Sequence, residues 1–243
     1  MASSRYPGKP LVPILGLPLI EHVRRRALLA KESQLVVVAT CDNEIKEAVE
    51  KAGGRAIITR DTHERCTDRI EEAMESLPGN IVVMVQGDEP LLMPDAISAV
   101  IAPLLADSSL PIVNLLSPLE SEDDYMNANI VKAVCNLKGD VIYLTRSPIP
   151  YFKNQVKVPV YRQTGVMAFR KEALIQFSAL PETALEKAES VDMLRPIEHG
   201  MRIAGVVINY ITIGVDRPSD VALVESVIQA DAIQHALFQS ITG

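Results

Sequence analysis

Between residues 35 and 106, short runs of β-branched and aliphatic residues alternate with amphipathic, acid-rich segments. That alternation restricts the fold more than any other feature of the chain. LVVVAT (Leu35–Thr40), RAIIT (Arg55–Thr59) and the start of NIVVMVQGDEP are strand-like. A short continuous apolar run fits a strand covered on both faces, as in a parallel sheet. Between them, Asp42 begins and Gly53-Gly54 ends DNEIKEAVEKAGG, which predicts a helix of about ten residues. CTDRIEEAMESL and DAISAVIAPLL read as further helices. Leu19–Lys31 is another, with Leu19, Ile20, Val23, Ala27 and Leu28 on one side and Arg24, Arg25 and Arg26 largely opposite. Such alternation makes βαβ units.

The pattern changes after about Leu110. IVNLLSPL, IVKAVCNL, DVIYLTRS, VYRQTGVMAFR and IAGVVINY are strand-like, several of them separated by short turn signals. ALEKAESVDMLRPIEHG has helical spacing, and DRPSDVALVESVIQADAIQHALFQSI predicts one long helix started by Pro218, Ser219 and Asp220. The expectation is an α/β fold with a mixed or antiparallel middle.

Composition narrows the function classes. The net charge of −7 argues against a general nucleic-acid surface, while leaving room for a small basic pocket. With no tryptophan and 4% aromatics, stacking platforms for single strands are not expected. The odd set Cys41, Cys66 and Cys135 has no metal-type spacing and suggests a reduced, cytoplasmic setting. No apolar run approaches the ~20 residues of a membrane span, and the start lacks the apolar region of a signal peptide.

Ligands of open α/β sheets bind beyond the carboxyl ends of the strands. Polar clusters fall there in the opening SSRYPGK, in VQGDEP and in ITIGVDRPSD. The first, with Ser3, Arg5, Gly8 and Lys9, is either a frayed terminus or a phosphate loop. Asp88 and Asp216 suit Mg²⁺, which takes one or two carboxylates and completes its shell with water and phosphate oxygens; turn or cap duty is the alternative. The chain has no G-x-x-x-x-G-K-[ST] or G-x-G-x-x-G motif. His63 and His199 lack ligand spacing, and Ser147 and Ser190 lack a nucleophile context. Met167 and Met193 are expected as core filler. The residues alone thus indicate an α/β enzyme with a phosphate-handling, magnesium-assisted site.

SSRYPGKPL, HERCTDR, VQGDEP, NIVKAV, YLTRSPIP and GVD-x-P-x-D resemble, in order and spacing, the 3-deoxy-manno-octulosonate (KDO) cytidylyltransferases over nearly the whole chain. The resemblance implies a Rossmann-like nucleotide-diphospho-sugar transferase fold, with a mostly parallel sheet flanked by helices. It implies a single domain over 1–243, with a dimerisation and sugar-binding insertion at about 112–200, and a homodimer. The implied reaction is transfer of CMP from CTP to a KDO-type sugar acid for lipopolysaccharide synthesis, with Mg²⁺ as cofactor and no nucleic-acid or membrane partner. Lys9, Asp88 and Asp216 would be catalytic, the two acids as metal ligands. Ser3, Arg5, Lys9, Thr67, Arg69, Gln86, Gly87 and Asp88 would bind nucleotide. Arg146, Arg162, Gln163, Glu189, Asp192 and Met193 would bind sugar.

Three departures carry expectations. The family's first strand, ending Ile-Pro-Ala-Arg, has no counterpart before Met1, so this chain is expected to be unstable or weakly active and its gene product to start upstream. Cys66 replaces the glycine of the HxSGT loop and would be strained if that glycine needs positive φ. The sugar segment R-H-L-G-I-Y reads Arg162, Gln163, Thr164, Gly165, Val166, Met167, and the E-Q pair reads Asp192, Met193. An acceptor related to KDO, such as 8-amino-KDO or a sialic-acid-like sugar, is therefore an alternative. A non-catalytic nucleotide-binding homologue is another.

Overall fold

The structure, a computed structural model, describes residues 6–119, 121–154, 156, 158–210 and 212–243. In chain order its elements are β1 (Pro13–Ile14), β2 (Leu17–Pro18), α1 (Leu19–Leu28), β3 (Val37–Thr40), α2 (Asn43–Lys51), β4 (Arg55–Ile58), α3 (Cys66–Glu75), β5 (Ile81–Val85), α4 (Pro94–Ala106), β6 (Ile112–Pro118), α5 (Glu122–Met126), β7 (Lys132–Cys135), β8 (Val141–Thr145), β9 (Tyr161–Arg170), α6 (Lys171–Ala179), α7 (Ala184–Glu189), α8 (Leu194–Glu198), β10 (Ile203–Val207), α9 (Pro218–Ala230) and α10 (Ala232–Thr242). They fall into two compact units. Met1–Leu77, Val85–Ser98 and Thr212–Gly243 form the first; Pro78–Met84 and Ala99–Ile211 form the second.

In the first unit, β3 and β4 pair in parallel, from Val37 opposite Arg55 to Thr40 opposite Ile58. Burial on both faces is not what β3 shows: Val38 and Thr40 are buried, while Val37 and Ala39 are half-buried. The α2 boundaries follow the sequence. The Asp42 carboxylate accepts from the Glu44 N–H at 2.9 Å, satisfying one of the orphan donors of the first turn, and Gly53 at φ +75° ends the helix. Gly54 admits no side chain, since a Cβ there would lie 2.7 Å from both Arg24 Nε and Val49 Cγ1. Ile45 and Val49 of α2 pack with Ile20 and Val38.

Helix α1 corrects the expected polar face. Arg24 and Arg26 are buried. Arg24 forms a bidentate pair with the buried Glu21, at 2.7 and 2.6 Å. Arg25 joins that carboxylate at 2.9 Å and also donates to the Ile241 carbonyl at 2.7 Å. The C-terminal segment is two helices rather than one. The chain turns at Asp231 (φ −88°, ψ 121°), whose carboxylate accepts from the N–H groups of Ile233 and Gln234 at 3.0 and 2.8 Å. Val224 and Ile228 of α9 pack with Ile14, Leu19, Leu91 and Val215.

The second unit holds a six-stranded mixed sheet in the order β10-β6-β9-β7-β8, with β5 also paired to β9. The β10–β6 ladder is parallel; β6–β9, β9–β7 and β7–β8 are antiparallel. Strand β6 is buried from Ile112 to Ser117, and Phe169 and Phe177 stack in the core, 6.3 Å between ring centroids. The segment expected to be helical after Thr183 forms two short helices, α7 and α8. They are joined by a buried bidentate pair in which Arg195 donates to Glu186 at 2.7 and 2.6 Å.

Candidate functional site

In the first unit, Gly8 takes a left-handed conformation (φ +71°) that leads into a tight 3-10 turn over Lys9–Leu11. A β-carbon would disfavour that turn entry. The turn delivers the Lys9 ammonium to two carboxylates. Its Nζ donates to Asp88 Oδ2 at 2.7 Å and stands 3.6 Å from Asp216 Oδ1. Lys9 is 13% exposed, Asp88 26% and Asp216 53%, so the cluster opens to solvent on the Asp216 side. A shallow cavity of about 220 Å³ lies beside the loop, lined by Gly8, Leu11, Asp42 and Ile45 among others.

Backbone bonds bring the two acids together. Asp88 lies in the turn directly after β5, where the Glu89 N–H donates to the Gln86 carbonyl at 3.3 Å. The Val215 N–H donates to the Asp88 carbonyl at 2.9 Å, drawing the second acidic segment alongside. Asp220 shapes that segment by accepting from the N–H groups of Asp216 and Arg217, both at 2.8 Å. Asp216 does not directly follow a strand, as its sequence suggested; β10 ends at Val207. Gln86 is half-buried, and Gly87 permits close packing, since a Cβ there would meet Ile20 Cδ1 at 3.1 Å.

Two carboxylates converging on one cationic atom fit a magnesium ion that draws its other ligands from water and phosphate oxygens. Among the described residues, no group of three acidic, histidine or cysteine side chains could hold a metal, so an all-protein cage is not what this arrangement provides.

The other nucleotide candidates are placed differently. Ser3 and Arg5 lie outside the described residues. Thr67 is fully buried. Arg69 is also buried, and its guanidinium donates to Thr59 Oγ1 and to the Arg60 carbonyl, holding the loop ahead of α3. Glu72 braces the same loop: its carboxylate pairs with His63 and accepts from the Arg60 N–H and Nε, each at 3.2 Å. The His63 hydrogen bond, with the Arg60 contacts, pulls the Glu72 carboxyl down to about 2. Cys66 carries no strain. It begins α3, and the described non-glycine residues with positive φ are Leu15 and Ser190.

The acceptor candidates lie in the second unit. The Arg146 side chain is engaged by four carbonyls: Nε donates to Glu189 at 2.7 Å, Nη1 to Ala128 and Asn129 at 3.1 and 3.3 Å, and Nη2 to Ser190 at 3.4 Å. The Glu189 carboxylate accepts from the Thr145 hydroxyl and the Arg146 N–H. Gln163 Nε2 donates to the fully buried Asn114 at 2.9 Å. Arg162 Nε is a buried atom with no hydrogen-bond partner among the described residues. Met193 is fully buried, and the Asp192 carbonyl accepts from the Arg195 N–H at 3.0 Å.

Lys132, inside NIVKAV, is a further residue of this unit with no counterpart among the expected contacts. The structure buries this lysine completely and aims its ammonium at the carbonyls of Asn127, Ile130 and Arg146, at 2.6, 3.0 and 3.0 Å. Burial, then the neighbouring Arg146 charge, push its pKa below the usual lysine range. The available signal was a lone lysine inside an apolar strand.

Comparison with known proteins bears on this geometry. A family model described as "Cytidylyltransferase" matches residues 1–203. The 3-deoxy-manno-octulosonate cytidylyltransferase of Geobacter metallireducens is 40% identical, covering 90% of this chain and 91% of its own. The Escherichia coli protein of the same name is 36% identical, covering 96% and 95%. A solved structure of CMP:2-keto-3-deoxy-manno-octonic acid synthetase complexed with CTP is 37% identical, with a TM-score of 0.88 over 93% of each chain.

Proposed function

Because the chain belongs to the cytidylyltransferase family, at the similarity just given to its 3-deoxy-manno-octulosonate members, we propose that it transfers CMP from CTP to 3-deoxy-manno-octulosonate and releases pyrophosphate. The sugar hydroxyl gives its proton to solvent as its oxygen bonds to the α-phosphorus. The bond from that phosphorus to the bridging oxygen breaks, and pyrophosphate leaves with the electron pair. Lys9 neutralises charge that develops on the phosphate oxygens, as a preorganised cation should. Ser3 and Arg5, which lie outside the described residues, are proposed to bind the nucleotide, as the resemblance implies. Asp88 and Asp216 would hold a magnesium ion, which when bound would polarise the phosphates and stabilise the leaving group. No covalent protein nucleophile is required.

The observation that carries this reading is the Lys9 ammonium lying against both Asp88 and Asp216. The experiment is pyrophosphate release from CTP and Mg²⁺ with KDO, 8-amino-KDO and N-acetylneuraminate as acceptors. Release with KDO as the best acceptor supports the proposal. Release confined to another acid replaces the acceptor, and silence with all three overturns it.

The reaction is proposed to run in the cytoplasm and to feed lipopolysaccharide synthesis. Among the described residues, no helix is long and apolar enough to cross a membrane. A homodimer is proposed as well. It rests on the family to which the chain belongs. Sedimentation velocity tests it, and a monomer at micromolar concentration would refute it.

A further inference from the structure

The first unit contains a buried polar pair that the transfer chemistry does not use. Arg26 of α1 is fully buried. Its Nη1 donates to Gln234 Oε1 of α10 at 2.7 Å and to the Leu92 carbonyl at 3.3 Å. Its Nε and Nη2 have no hydrogen-bond partner among the described residues, and burial alone lowers its pKa to about 10. Gln234 faces the same stretch with its other end: Nε2 donates to the Leu91 carbonyl at 3.2 Å and approaches Met93 Sδ at 3.3 Å.

Leu91–Met93 is the segment just past Gln86-Gly87-Asp88-Glu89-Pro90. Two successive turns connect it to Asp88, with Glu89 N–H donating to Gln86 and Leu92 N–H to Glu89, at 3.3 and 3.1 Å. The Asp88 carbonyl is held independently by the Val215 N–H. The loop carrying Asp88 is thus tied on its downstream side by two side chains from distant parts of the chain. A well-packed apolar pair would fill the same space without burying a guanidinium, and such replacements are often neutral or stabilising. What the polar pair adds is direction, because the bonds to Leu91 and Leu92 fix their carbonyls in place. Gln234, like Asp216, lies beyond residue 203, where the family-model match ends.

We infer that Gln234, held by Arg26, is a positioning residue: it anchors the Leu91–Met93 backbone and so sets the Asp88 carboxylate against Lys9. The inference rests on the reading above that Asp88 works in the transfer. The decisive variant is Gln234→Glu. It keeps an oxygen for Arg26 and replaces the donor facing Leu91 with an acceptor, so the helix stays docked while the loop loses its Gln234 tie and keeps only the longer Arg26 bond to Leu92. The expected result is a kcat lowered at least fivefold, a KM for CTP within twofold of wild type, an unchanged melting temperature, and amide exchange at least tenfold faster in residues 86–92. Gln234→Met, close in volume, serves if the glutamate variant fails to fold, with the same kinetic and exchange results expected. A kcat within twofold of wild type, or unaltered exchange in 86–92, overturns the inference. Should wild-type protein release no pyrophosphate with any sugar acid, the transferase reading fails by itself, and exchange in 86–92 still decides for or against the anchor.

Discussion

Replacing Arg195 by methionine should show how much a buried charge depends on its partner. Arg195 donates twice to Glu186 at 2.7 and 2.6 Å, Glu186 is fully buried, and the guanidinium lies 5.2 Å from the Phe177 ring centroid. The variant removes both charge-assisted bonds and leaves the carboxylate without its cation. Breaking one side of a buried pair typically lowers stability by about 3–5 kcal/mol, and the lost cation–π contact adds roughly 1 kcal/mol, offset by methionine packing. A protein of this size loses ~2–4 °C of melting temperature per kcal/mol, so a drop of roughly 6–20 °C is expected near pH 8. Urea titrations of both proteins at pH 8 measure this. A deficit under about 1 kcal/mol would refute the reasoning. Adding Glu186→Gln to the variant should recover part of the deficit.

Lys9→Met should lower kcat by roughly 10²–10³, the usual effect of losing one preorganised charge at a phosphoryl-like transition state; a coupled pyrophosphate assay reads it. Glu72 should titrate near about 2 by carbon NMR. Its lowered pKa makes its hold on the loop present above the unfolded pKa and lost as pH falls through about 2, and His63→Ala should move that midpoint up toward the ordinary carboxylate range. Asp231→Ala removes the two N–H contacts at the start of α10 and should lower stability by about 1 kcal/mol, measured by urea unfolding.

Local signals made much of the framework legible. Asp42 and Gly53 bracket α2, and each is visible in the sequence because capping and left-handed turns are decided within a few residues. The arginines of α1 could not be read this way. Helical spacing put them on a polar face, but Arg24 finds its carboxylate on the same helix and Arg26 its amide at position 234. Only the tertiary fold supplies that second partner. The break at Asp231 was hidden because aspartate both starts a new helix and sits acceptably near the end of an old one. Asp88 and Asp216 were each recognisable as candidate ligands. Their meeting at Lys9 depends on one backbone bond from Val215, which no periodicity announces. For Arg146 the resemblance implied a sugar contact; that carbonyls from Ala128, Asn129, Glu189 and Ser190 also surround its guanidinium is something no local pattern announces.

The carbonyls of Asn127, Ala128, Asn129 and Ile130 are all taken up by the two cations, Lys132 and Arg146. A cation that grips main-chain oxygens is indifferent to what the gripped residues carry. Part of the instruction for this loop's shape is therefore written outside it, in two residues further along the chain, beside the bonds Asn127 makes within it. Substitutions at Ala128 and Ile130 should be absorbed easily, while a single change at Lys132 releases the carbonyls of Asn127 and Ile130 together. In a library of variants Ala128 and Ile130 would look unconstrained position by position, and the two keepers, Lys132 and Arg146, would look far more constrained.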